Sequence, residues 1–253
     1  MDANKNYFIE GVGTAQVTGA DGSLSLIHLQ SMSIELSSTM EKIFGGEGNF
    51  PHYTYQTEKS VKASFKNASW NLNMVNLTQG VKNADKPTLI ANETVKVGAD
   101  GTVTLSHAAT ADMTSLVVST LEGIVIPVTS GKVASSFAGK TVRCNYVYED
   151  STGSSAIGSN VLTTSVPGFV TIMHRSKAMP QDDGHVYRIH TVIWKARCDG
   201  SLTYNEEHKN AFSPELKFEV IDPKRADKKL INFAVEDVTG KEDAGVAMVD
   251  DGD

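Results

Sequence analysis

The sequence predicts an all-β (mainly β) protein, a barrel or sandwich with one short helix. Three observations carry this. Apolar residues recur with a period of two in segment after segment, and clusters of Gly, Pro, Asn, Asp and Ser punctuate them. Only one stretch carries helical spacing.

Leu24 and Leu26 define one face, Ile27 and Leu29 the opposite one, and Met32, Ile34 and Leu36 return to the first. This change of phase predicts a strand that bends between two sheets, or a bulge near His28 to Ser31. Val61, Ala63 and Phe65 alternate with Lys62, Ser64 and Lys66, a strand with one buried face. Ser69 then caps a short helix in which Trp70, Met74 and Leu77 recur, packing the Trp70 face on the core, and Gly80 stops it. Val95 and Val97, then Val103 and Leu105, flank a turn at Gly98 to Gly101 and predict a hairpin. Arg143 to Glu149 and Ile157 to Leu162 predict a second hairpin, and Phe169 to His174 with Val186 to Arg197 a third. Leu216, Phe218 and Val220 form a strand ended by Asp222-Pro223, and a last strand spans Leu230 to Val235.

A chain of 253 residues corresponds to one or two domains. Composition shifts near residue 83 towards Thr, Ser, Val and Gly, and shifts back near 165. The expected organisation is a discontinuous β core of 1–83 and 166–235, a small inserted β-sandwich at 84–165, and a flexible acidic tail at 236–253. The tail holds seven acids against one base, Lys241, and so carries −6 of the net −7. The nearly neutral body has no basic stripe to grip DNA or RNA. No apolar run reaches the ~18 residues of a membrane span, and the first residues lack the order of a signal peptide. Cys144 and Cys198 are too far apart for a redox or zinc motif and read as reduced, partly buried thiols.

The chemical motifs are weak. A five-residue step puts His185 and His190 on opposite faces of a strand, poor geometry for a shared metal. Asp182-Asp183-Gly184 lacks the alternating acids of a calcium loop and reads as a turn. Gly11-Val12-Gly13 and Gly45-Gly46-Glu47-Gly48 lack the following lysine and helix of a phosphate loop. Neither a nucleophile elbow nor a paired-carboxylate context is present, so no enzyme and no cofactor is expected. Tyr146 and Tyr148 share a strand face, as a sugar platform would require, although a packing pair is the commoner use.

The informative segment is Ser37 to Ser60, whose 24 residues include Phe44, Phe50, Tyr53 and Tyr55 with Gly45, Gly46, Gly48 and Pro51. It reads as a long loop, either an internal flap over the core or an arm that packs on another subunit. Phe44, Gly45, Gly46, Phe50, Pro51, Tyr53 and Tyr55 are the candidate contact residues.

Several segments in this order resemble the tailed-bacteriophage major tail tube protein family. They are the bending strand, the loop from Thr39-Met40-Glu41-Lys42-Ile43-Phe44-Gly45-Gly46 to Phe50-Pro51, the strand of Lys59 to Asn67 and the helix at Trp70 to Leu77. Ser213-Pro214-Glu215-Leu216-Lys217-Phe218-Glu219-Val220 with Asp222-Pro223 looks like the closing strand of such proteins. The resemblance covers 7–82 and 166–235, and the insertion looks like the immunoglobulin-like additions of phage structural proteins. It implies a virion tail protein, made in the host cytoplasm, whose stacked hexameric rings pass DNA through a lumen without specific binding. It also implies partners among other tail proteins, such as the tape measure and terminator, and no membrane. Two other readings are a capsid decoration or fibre protein and a carbohydrate-binding β-sandwich.

Overall fold

The computed structural model describes residues 5–45, 50–151, 156–206, 208 and 213–241. Among them the order is β1 (Thr14–Gly19), β2 (Gly22–Leu26), β3 (Leu29–Phe44), β4 (Pro51–Asn67), α1 (Leu72–Gln79), β5 (Asn83–Ala84), β6 (Thr88–Lys96), β7 (Ala111–Ser119) and β8 (Val125–Ile126). Then follow β9 (Thr141–Glu149), β10 (Gly158–Ser159), β11 (Phe169–Arg175), β12 (Met179–Pro180), β13 (Val186–Cys198), β14 (Glu215–Val220) and β15 (Ile231–Asp237). The protein is all-β with one α-helix, as the two-residue period requires. The chain divides into two compact units, 1–81 with 161–253, and 82–160.

The first unit is a nine-stranded antiparallel sheet in the order β2-β1-β11-β13-β14-β4-β3, with β12 and β15 also on β13. Strand β13 is its hub: β11 lies along one edge, while β14 and β15 share the other. The strands at the two ends of the path, β2 and β3, are not laddered to each other, so the sheet does not close into a barrel. Val17, Leu24, Leu26, Phe65, Ile172, Ile193, Leu216 and Phe218 form one buried cluster with Met74 and Leu77 of α1. Burying each such side chain contributes roughly 1.5–3 kcal/mol, which holds the helix on the sheet.

The expected phase change is a break at Ile27–His28, followed by a register shift between Leu29 and Ser31 against β4. The helix starts later than its sequence suggests. Its cap is Asn71, whose side-chain oxygen accepts from the Asn73 N–H at 2.8 Å, whereas Ser69 accepts from the Asn67 amide. Trp70 therefore precedes the helix, stays half exposed and meets Tyr204 edge-on rather than packing on the core. Gly80 does end the helix, at φ +66°.

In the second unit β6-β9-β7-β8 form one antiparallel sheet, and β5 pairs with β10. The inner face presents Val118, Ile126, Val142, Cys144 and Tyr146, covered by Val97, Val103, Leu105 and Val133 from turn segments. The turn at Gly98 to Gly101 forms, yet Val103 does not return along β6; β6 pairs throughout with β9, from Thr88↔Glu149 to Lys96↔Thr141. Nor do 157–162 return along β9, because its two edges are taken by β6 and β7; only Gly158–Ser159 pair, with β5. The last strand includes Glu236 and Asp237, and Val238 is buried, its N–H donating to Val186 O at 2.8 Å. Those residues belong to the sheet, not to a tail. Residues 242–253 lie outside the described residues.

Candidate functional site

Strands β3 and β4 pair over their whole lengths, but only their inner halves belong to the core. There Ile34 faces Ala63 and Met32 faces Phe65, and β14 covers the outer edge of β4 from Lys62 to Lys66. Beyond Leu36↔Val61 the two strands continue alone to Phe44↔Pro51. The segment read as a long loop is thus the outer part of a hairpin, an arm about 25 Å long at the usual rise per residue. Three register shifts obscured it, two of them in the arm, between Thr39 and Met40 and between Ile43 and Phe44. The two in the arm each leave an extra residue in β4, which interrupts its alternation, whereas the one at Leu29/Ser31 leaves its extra residue in β3.

The arm is apolar on both faces. Residues opposite one another in a ladder share a face, so Ile43 joins Tyr53, and Glu41 joins Tyr55. The two tyrosine rings stack with centroids 6.2 Å apart at 18°. Tyr55 donates to the Glu41 carboxylate at 2.8 Å, which raises the phenol above its ordinary range. Leu36, Met40 and Phe44 alternate onto the other face of β3. Phe50 is 84% exposed, Phe44 59% and Tyr53 62%, so none is covered by its own chain and the internal-flap reading fails. Pro51 opens β4, where a missing N–H costs no ladder bond. Gly45 accepts from His52 through its carbonyl, while Gly46 lies outside the described residues. Sequence reasoning missed Leu36, Met40 and Ile43; the even spacing of Leu36, Met40 and Phe44 was the signal for the first two.

A second surface lies on the outward face of the sheet. Glu35, Lys62, Glu219, Arg197 and Phe169 are successive ladder partners across five strands, so charge alternates along the row. A groove of about 480 Å³ runs here, lined by Glu35, Lys62, Lys217 and Glu219 among others.

The remaining chemical candidates are occupied structurally. His185 pairs with Asp237 and His190 with Glu236, each at 2.9 Å, and no group of three metal-binding side chains occurs among the described residues. Both cysteines are buried and free, and burial pushes the Cys144 thiol up to about 11. Tyr146 is buried, donating to Glu93 at 2.8 Å, and Tyr148 stacks on His107 at 4.0 Å, so the pair makes no open sugar platform. No helix among the described residues is long and apolar enough to cross a membrane.

Comparison with known proteins follows the same outline. The model of the YomU/Tube protein family matches residues 8–233. The protein named Tail tube protein from Bacillus phage SPR is 26% identical over 245 residues, covering 92% of this chain and 88% of that one.

Proposed function

This chain belongs to the YomU/Tube protein family, a phage tail tube family, and on that premise we propose that its copies stack as hexameric rings into the tube of a virion tail. The β3–β4 arm is the contact between rings, with Phe44, Phe50, Tyr53 and Tyr55 as anchors. The single observation that supports this most is the arm itself, two strands with apolar side chains exposed on both faces. An isolated hairpin is marginal in water, and its unpaired edges and bare aromatics gain stability only by docking on another body. The role is structural, without a reaction. DNA passes through the lumen and is not retained, a behaviour favoured by surfaces such as the Glu35–Lys62–Glu219–Arg197 row, where opposite charges cancel. Tape measure and terminator proteins are the other tail partners.

Negative-stain electron microscopy of the purified full chain, with sedimentation across a concentration series, tests the reading. Rings and tubes of constant width are expected. Monomers at every concentration would overturn it, and monomers that bind capsids would favour a decoration protein.

A further inference from the structure

The two faces of the arm carry opposite charge. Thr39 stands opposite Glu58, Glu41 opposite Tyr55 and Ile43 opposite Tyr53, so these six residues share one face. It has two carboxylates, Glu41 and Glu58, and no base. Ser38 stands opposite Lys59, Met40 opposite Gln56 and Lys42 opposite Thr54. The other face therefore has two ammonium groups and no acid, set among Leu36, Met40 and Phe44. All four charged residues are exposed, and none makes an ion pair with a described residue. Within one chain this segregation of charge satisfies nothing.

The spacing of the charges fits a second arm. Glu41 and Lys42 are neighbours on β3, and Glu58 and Lys59 are neighbours on β4. Both sets are centred on the Met40 row, with Glu58 opposite Thr39 and Lys59 opposite Ser38. Superposing two arms, acidic face on basic face, therefore sets Glu41 of one copy within one row of Lys42 of the other, about 3.4 Å along the strand. Glu58 falls within one row of Lys59 in the same way. Stacked sheets lie about 10 Å apart, a gap that the flexible lysine stems and the carboxylates close. The same superposition lays Ile43 and Tyr53 of one copy over Phe44 of the other, covering side chains that are each more than half exposed in the single chain. Two acidic faces together would oppose four carboxylates, and two basic faces four ammonium groups, both unfavourable. The contact is thus head-to-tail, and it either closes in a ring or continues as a stack, because each arm keeps a face for the next copy. We propose that the docking partner of each arm is the arm of another copy, acidic face on basic face. This rests on the reading above that the arm docks on another copy of the chain.

Two charge variants of the full chain test this. Glu41→Lys with Glu58→Lys makes both faces basic, and Lys42→Glu with Lys59→Glu makes both acidic. The substituted residues are exposed, so each variant should keep the melting temperature of the wild type. Alone, each should raise the critical concentration for tube formation about tenfold or more. Mixed one to one, they should return to within about threefold of the wild type, since every acidic face then meets a basic one. A mixture no better than its components, or either variant assembling alone like the wild type, would overturn the proposal while leaving the arm as an interface. A wild-type chain that stays monomeric would remove the docking reading as well. Should a charge variant fail to fold, uncharged substitutions on the two faces replace it. Ile43→Cys copies mixed with Phe44→Cys copies and treated with a short bismaleimide should be joined mainly across the mixture. Joining only between like copies would overturn the proposal.

Discussion

Tyr55 and Glu41 meet across the two strands of the exposed arm, phenol to carboxylate, at 2.8 Å. Further in, the Ser37 and Ser60 hydroxyls meet at 2.7 Å. Such cross-strand contacts, each worth roughly 0.2–1 kcal/mol, hold the register where no core supports it.

Because the Glu41 carboxylate raises the Tyr55 phenol, Glu41→Ala should lower its ionisation midpoint towards the ordinary value. Carbon-13 tyrosine NMR across alkaline pH reads this, with Tyr55→Phe identifying the resonance. An unchanged midpoint would mean the pair does not persist in solution.

Replacing Phe44 and Tyr53 by alanine should leave monomer stability within about 0.5 kcal/mol, since both side chains are exposed. Assembly should weaken by about 2 kcal/mol or more for each, measured as the critical concentration for tube formation. A sharp loss of melting temperature with tubes intact would remove the arm from the interface.

In the second unit Glu93 accepts from the Ser106 amide at 2.9 Å, the Ser106 hydroxyl and Tyr146. Burial pushes the carboxyl up, but the hydrogen bonds from Ser106 and Tyr146 outweigh it and hold it below the ordinary glutamate range. With a folded-state value below the unfolded one, this stabilisation is present above the unfolded value and lost as pH falls through the folded one. Glu93→Ala should cost about 1–3 kcal/mol, because the buried Tyr146 hydroxyl loses its acceptor. Acid titration followed by near-ultraviolet circular dichroism should then lose the low-pH step assigned to Glu93.

Gly80 sits at φ +66°, and a Cβ there would lie 1.9 Å from the Val166 carbonyl oxygen. Gly80→Ala should therefore destabilise by more than the roughly 1–2 kcal/mol of the left-handed backbone alone. Thermal unfolding checks this; a neutral result would mean the 166–167 backbone yields.

We propose that the insertion is separable, with boundaries near Lys82 and Asn160. Replacing 82–160 by a short Gly/Ser linker should leave a cooperative unfolding transition in the remaining sheet. Loss of that transition would make the insertion part of the core.

Legibility in the sequence followed the range of the interaction. The alternation of Val61, Ala63 and Phe65 and the glycine stop at Gly80 are local signals, and the structure keeps both. The pairing of β6 with β9 was illegible because β9's partners are chosen by which edges remain free, a property of the whole sheet. Asn71 outcompeted Ser69 as cap through a hydrogen bond that spacing cannot rank. In the arm, the aromatic residues were legible as a cluster with a purpose. The pairing of β4 was not, since the shifts at Thr39/Met40 and Ile43/Phe44 each put an extra residue into β4 and break its period.

That period also restricts how the arm can change through descent. An added or deleted residue in one strand must be absorbed as a bulge, as at Thr39/Met40 and Ile43/Phe44, or it turns every side chain beyond it to the other face and parts Ile43 from Tyr53 and Glu41 from Tyr55. Without a new bulge, paired changes of two residues in both strands keep the partners together, in steps of about 7 Å. Arm length thus changes in quanta, each odd step marked by a bulge of its own.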